Sequence, residues 1–311
     1  SISKLQSNDN AFKAKLANTR SLPTVSTTKS LPWRKTVPSC QNGCVILFIH
    51  VPKTGGTSFY ETFLKHEKVK YEISVHGRPR TVASMREELW NVTRMGIPNV
   101  NDGDSRMIRI FEFHAVNNPS FHDFVESGEL SGWREAARKS NTTFFAFTLL
   151  RNPLSWALSA YHMICVNQMI CQPKESGRPD PKSLDDLIRL TKPNPQCAFL
   201  FRGGKPYHHD AKWRFEPSQE QCDTVGQEMT TLLDWVGLTE EYNKTISLLE
   251  AVMGFEISLV VTNVATDTDK LKTRDVKNTK AEEWLSSIQT LDDDLYQRMK
   301  RRYTTNMWKI S

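Results

Sequence analysis

Pro52-Lys53-Thr54-Gly55-Gly56-Thr57-Ser58 gathers one mobile cation, two glycines and three hydroxyl residues within seven positions. Glycines remove the side chains that keep an anion away from backbone amides. A lysine beside them adds a point charge, and the hydroxyls add donors. The chemistry this set suits is the grip of a phosphate-like group. A second set lies about 100 residues on: Arg151-Asn152-Pro153, with Ser159 eight positions beyond the arginine. Arg151 offers a planar donor fork and Ser159 a hydroxyl, again fit for a phosphate. Each set alone has a plain alternative. The first could be an ordinary glycine-rich turn, and in the second Arg151 could pair with a carboxylate while Ser159 merely packs.

Both sets follow an apolar run. Val45 to His50, VILFIH, reads as a buried, parallel strand, and SFYETFLKH after the loop carries Phe59, Phe63 and Leu64 at helical spacing. Strand, tight loop and helix N-terminus together turn unpaired N–H groups and the positive end of a helix dipole toward one spot. The loop is not a Walker A sequence, because Lys53 precedes the glycines rather than following them. Thr143 to Leu150, TFFAFTLL, is a second such strand, delivering Arg151 to its carboxyl end with Pro153 suited to the first turn of a helix.

A group that can take a proton near neutral pH would add acid–base chemistry to such a site, and histidine titrates nearest neutrality. The eight histidines are His50, His66, His76, His114, His122, His162, His208 and His209. His50 lies within the buried strand and reads as structural. His114 ends a predicted strand, Met107 to His114. The period of two places Glu112 on the same face, where it could orient His114 or itself be the base.

Taken together, PKTGGTS and TLLRNPLSWALS resemble the donor-binding loops of sulfotransferases that use 3′-phosphoadenosine 5′-phosphosulfate (PAPS). They are most similar to the membrane-bound carbohydrate enzymes of the heparan sulfate 2-O and 6-O type. The likeness runs over about 45–270 in element order and is close at the two motifs and the His114 strand. It implies that Lys53 and the amides of Thr54, Gly55, Gly56, Thr57 and Ser58 hold the phosphosulfate. Arg151 and Ser159 would hold the 3′-phosphate, and His114 or Glu112 would be the base. Asn152 departs from the aspartate usual in that family. The resemblance further points to the basic stretch Lys270 to Lys277, with Lys272 and Arg274 as donor contacts, though a solvated charged loop reads equally well there. It implies a sulfuryl transfer from PAPS, leaving adenosine 3′,5′-bisphosphate, to a hydroxyl of a glycan or glycoprotein, with no metal required. The other acceptors to weigh are protein tyrosine and small alcohols. From other classes, a kinase would need a lysine after the glycines and an acidic magnesium ligand, and a non-catalytic glycan-binding module would not need the base.

Composition agrees without deciding. The chain has 311 residues and a formal charge of +6, which favours anionic partners. The basic residues are dispersed, so nucleic acid is not expected. Six cysteines (Cys40, Cys44, Cys165, Cys171, Cys197, Cys222) and sequons at Asn91, Asn141 and Asn243 point to an oxidising, secretory compartment. Cys165–Cys171 and Cys197–Cys222 are the pairs guessed. No apolar run of membrane-spanning length is present. By resemblance the protein would be a Golgi luminal domain whose anchor lies upstream of Ser1.

Residues 1–42, polar and broken by Pro23, Pro32 and Pro38, read as a stem or extended arm, and 43–311 as the sulfotransferase domain. Beyond the elements above, strands are expected at Tyr71 to Gly77 and Ile257 to Asn263. Helices are expected at Thr81 to Gly96, Phe121 to Ser127, Gly132 to Ser140, Thr239 to Met253 and Ala281 to Trp308. Ser183 and Ser218 open capping boxes. Strands alternating with helices predict an α/β fold: a P-loop-like three-layer α/β/α arrangement with a central, mostly parallel sheet and ligand at the strands' carboxyl ends.

Overall fold

The computed structural model describes residues 38–40, 42–73, 81–97, 107–114, 119–163, 183–203, 215–260 and 271–305, all within one compact unit running from Lys35 to Ser311. Most of the expected arm, the Cys165–Cys171 pair, His76, His208 and His209 lie outside the described residues.

Five parallel strands form one sheet in the order β2-β3-β1-β4-β5. They are β1 Cys44–His50, β2 Val69–Ile73, β3 Ile108–His114, β4 Thr143–Leu150 and β5 Trp235–Leu238. Every residue of β1 is buried, as expected of a central strand covered on both faces. Parallel neighbours cannot be joined by tight turns, so helices fill the connections. These are α1 Gly56–Leu64, α2 Val82–Met95, α3 Phe121–Glu126, α4 Glu129–Lys139, α5 Pro153–His162, α6 Leu184–Leu190, α7 Pro195–Arg202, α8 Gln219–Leu232, α9 Tyr242–Met253, α10 Thr273–Val276, α11 Lys280–Ile288 and α12 Thr290–Thr305.

Alternation divides the core. Val45, Leu47 and Ile49 join Phe111, Phe113, Phe144, Ala146, Val236 and Leu238 beneath α2, α3, α4, α7, α8 and α12. Phe48 on the opposite face stacks on Phe147 and meets Phe59 of α1. There the indole of Trp235 donates to Thr245 of α9. A satellite cluster packs Ala157, Leu158 and Tyr161 of α5 against α6, α10 and α11.

Helix ends follow local chemistry. Thr81 caps α2 through its side chain, and Ser120 and Ser218 form capping boxes. Ser183 likewise accepts from the amide of Asp186.

Three expectations change. Of the strand expected at Ile257 to Asn263, residues 261–263 lie outside the described residues, and Ile257 to Val260 pairs with no strand among those described: the Ile257 amide donates to Glu250 and that of Val260 to Thr62 Oγ1, while Val260 is exposed. The fifth strand is instead the four-residue WVGL of β5, too short to show a period. The C-terminal helical run is two helices, parted at Gln289. The folded unit also takes in Ser39 and Cys40. Cys40 is disulfide-bonded to Cys44 and its amide donates to Val252, while the Ser39 carbonyl accepts from Thr143 Oγ1.

Candidate active site

β1 lies between β3 and β4, in register such that His50 faces His114 and Ile49 faces Thr148. The loop after β1 is therefore flanked by the end of β3 and by Arg151, the first residue past β4. These are the tips where a doubly wound sheet presents ligand.

The loop from Val51 to Gly55 is held by its carbonyls. That of Val51 accepts from Thr54 Oγ1 at 2.6 Å, and that of Pro52 from the indole of Trp156 at 2.6 Å. The Lys53 carbonyl accepts from Arg151 Nη1 at 3.0 Å. Thr54 O accepts from Thr239 Oγ1, also 3.0 Å, and Gly55 O accepts from the amide of Phe59. Five successive carbonyls are thus engaged by protein donors. Lys53 and Gly55 both take positive φ, 68° and 99°. α1 then begins with no side-chain cap and no acidic residue in its first turn. Its leading N–H groups have no intrahelical acceptor, and the dipole there favours negative charge.

The two glycines serve different ends. Gly55 needs its left-handed backbone, and the ring of Tyr242 lies 3.4 Å from where a Cβ would stand. Gly56 is dictated by His50: a Cβ there would fall 1.9 Å from the imidazole Cε1. The sequence pointed to anion approach and a tight turn for both glycines, and not to the space His50 takes.

Under the loop sits a buried polar cluster. His50 Nδ1 lies 2.6 Å from Glu112 Oε1, and the Tyr71 hydroxyl donates to Glu112 Oε2. Burial, with Lys53 nearby, lowers the His50 pKa to about 3, so the ring is neutral near pH 7. Burial and then Glu112 hold the Tyr71 phenol well above its ordinary range. Glu112 is 1% exposed with both oxygens engaged. His114 is the last residue of β3, and its side chain lies outside the described residues.

Arg151 is half-buried, and burial lowers its pKa, with Glu240 acting the other way. No carboxylate pairs with it among the described residues; its fork reaches the Lys53 carbonyl. Asn152 caps α5, accepting from the Ser155 amide at 3.2 Å. Asn and Asp cap helices about equally well, which explains why this departure leaves the turn intact. Ser159 is half-buried on α5, about 9 Å along the helix axis from Pro153. Of the later basic residues, Lys272 precedes α10, where its amide donates to Asp275, and the Arg274 side chain is 77% exposed beside Asp275. Among the described residues, neither Ser159 nor Arg274 hydrogen-bonds the loop.

Sequence reasoning missed Thr239, Trp156 and Gln196, which hold the two motifs in place. Trp156 lies inside the second motif and could have been found by asking where its indole N–H goes. Thr239 and Gln196 carry no local signal.

No curated protein matches this chain. Among solved structures it is similar to a sulfotransferase from Alicyclobacillus acidocaldarius, at 15% identity and a TM-score of 0.40 over 83% of this chain and 95% of that one. The Sulfotransferase family is matched by residues 40–307, a span that contains all five strands and both anion loops. The chain belongs to the sulfotransferase family.

Proposed function

We propose that this sulfotransferase takes PAPS as donor and delivers the sulfuryl group to a hydroxyl of a glycan or glycoprotein. The observation that carries the reading is the hydrogen bond from Arg151 Nη1 to the Lys53 carbonyl, which joins the two anion loops at the tips of adjacent strands. A donor with phosphate at both ends needs two such grips a fixed distance apart. The fit is supported by the loop itself, whose carbonyls are turned onto protein donors beside an uncapped helix N-terminus.

When bound, the donor supplies an electrophilic sulfuryl group on a phosphate leaving group. Lys53, with the amides of Thr54 to Ser58, neutralises charge building on that phosphate. Arg151 and Ser159 take the 3′-phosphate, and Lys272 and Arg274 are further candidates for it. His114 accepts the proton of the acceptor hydroxyl at a ring nitrogen. Glu112, held by His50 and Tyr71, acts as a buried support below the loop rather than as the base.

An oxidising compartment, with the Golgi lumen as the family resemblance suggests, is supported by the Cys40–Cys44 and Cys197–Cys222 disulfides and by exposed sequon residues Asn91, Asn141 and Asn243. No helix among the described residues is long and apolar enough to cross a membrane. Calorimetry with adenosine 3′,5′-bisphosphate and ATP tests the donor: the bisphosphate should bind more tightly, and tighter ATP binding would overturn the reading. Turnover of labelled donor on a panel of glycans, tyrosine peptides and small alcohols tests the acceptor.

A further inference from the structure

Gln196 is 1% exposed, and both ends of its side-chain amide meet the backbone of one residue. Its Oε1 accepts from the Arg151 amide at 2.9 Å, and its Nε2 donates to the Arg151 carbonyl at 2.8 Å. One side chain thus meets both backbone groups of one residue, as the peptide of an adjacent strand would, just where β4 has ended. With Nη1 on the Lys53 carbonyl, Arg151 is pinned at three points.

Gln196 is itself held from two helices. Asp292, 1% exposed in the first turn of α12, accepts from the Gln196 amide at 2.9 Å and the Cys197 amide at 2.8 Å. In return Asn194, which precedes α7, accepts through Oδ1 from the amides of Leu291 and Asp292 at 2.9 and 3.1 Å. Each helix caps the start of the other, satisfying donors that helix beginnings leave unpaired. Cys197 continues the frame through its disulfide to Cys222 of α8. A rigid frame far along the chain therefore ends in an amide aimed at one arginine's backbone.

We propose that Gln196 is a positioning residue for Arg151, setting the arginine for the donor from the interlocked starts of α7 and α12. The inference rests on the reading of Arg151 as a donor ligand. It follows from preorganisation: an arginine already held in place loses less freedom when its ligand arrives.

The test compares Gln196→Ala, Gln196→Glu and Asp292→Asn with the parent chain. Nucleotide affinity is measured calorimetrically with adenosine 3′,5′-bisphosphate, and donor KM and kcat by turnover. Burial pushes the Asp292 carboxyl up to about 7, against the pull of the two backbone amides and of the Gln196 side chain, so measurements are made at pH 8 where it can accept from both amides. Gln196→Ala should weaken nucleotide affinity and raise donor KM about tenfold, with kcat at saturating donor changing by about twofold or less. Gln196→Glu keeps the acceptor and the size but loses the donor, and should show a smaller loss in the same direction; it carries the test if the alanine variant does not fold. Asp292→Asn should cost about threefold in affinity. In an Arg151→Ala background, Gln196→Ala should add less than about twofold, because residues acting as a unit are not additive. A residue that only stabilised the fold would lower Tm and the active fraction and leave donor KM unmoved. Full affinity in the folded Gln196 variants, or the same tenfold loss without Arg151, overturns this inference alone. Full affinity in Arg151→Ala overturns both it and the reading beneath it.

Discussion

Arg151 Nη1 donates to the Lys53 carbonyl at 3.0 Å, across 98 positions of chain. The bond spends part of a guanidinium on a loop backbone, and so couples the position of the Lys53 loop to that of Arg151. If Arg151 holds the donor as proposed, removing it should act twice, deleting a donor contact and loosening the loop.

Arg151→Ala should raise donor KM by about tenfold to a hundredfold, the scale of a lost charge-assisted contact. Arg151→Lys should recover little, since a point charge cannot span the carbonyl and a phosphate as a fork does. Steady-state kinetics with varied donor measures this, and an unchanged KM in the alanine variant would remove Arg151 from the donor site.

Lys53→Ala should lower turnover by about a hundredfold or more, because the charge it supplies matters most as the phosphate departs. Saturating donor should fail to restore kcat. Full restoration at high donor would make Lys53 a binding group only.

His114→Ala should likewise lose about a hundredfold or more in kcat, and the acidic limb of the pH–rate profile should go with it. If the variant keeps both its rate and that limb, the base lies elsewhere, with Glu112 the next residue to substitute.

Gly56→Ala forces a Cβ to within 1.9 Å of the His50 ring. It should destabilise the fold by roughly 3 kcal/mol, as overpacking of a filled core does. Gly56→Ala combined with His50→Ala should recover much of that loss in urea unfolding. A Gly56→Ala chain as stable as the parent would show that His50 does not occupy this space.

His50 also sets an expected acid sensitivity. Its pKa falls from 6.5 in the free side chain to about 3 in the fold. Between those values the unfolded chain holds a proton that the folded chain does not, so acid favours unfolding. The contribution is complete above pH 6.5 and shrinks as pH drops toward 3, by roughly 1.4 kcal/mol per unit. Urea midpoints at pH 7.5 and 5 should differ by less in His50→Gln, and an identical difference would place the acid sensitivity in other groups.

Read from sequence alone, the anion loop, the arginine motif, β1, β4, α2 and their caps were all legible, because each depends on neighbours within a few residues. Five apolar residues and a histidine running into Pro-Lys-Thr-Gly-Gly mark a strand and a tight loop by local chemistry. The four residues of β5 were not legible, since only pairing with β4 makes them a strand. Ile257 to Val260 had a strand's composition, but among the described residues its amides donate to side chains rather than to a strand.

The same division runs through the site. Residue types and short spacings determined the parallel α/β sheet and marked two motifs whose chemistry suits a phosphate. Only the tertiary structure decided that the motifs meet, that Gly56 makes room for His50, and that Gln196 and Thr239 hold the loops. Gly56 and His50 are only six positions apart, but the other relations join residues 45, 98 and 185 positions apart, and such partners are chosen by strand order and helix packing, which leave no local mark in the chain.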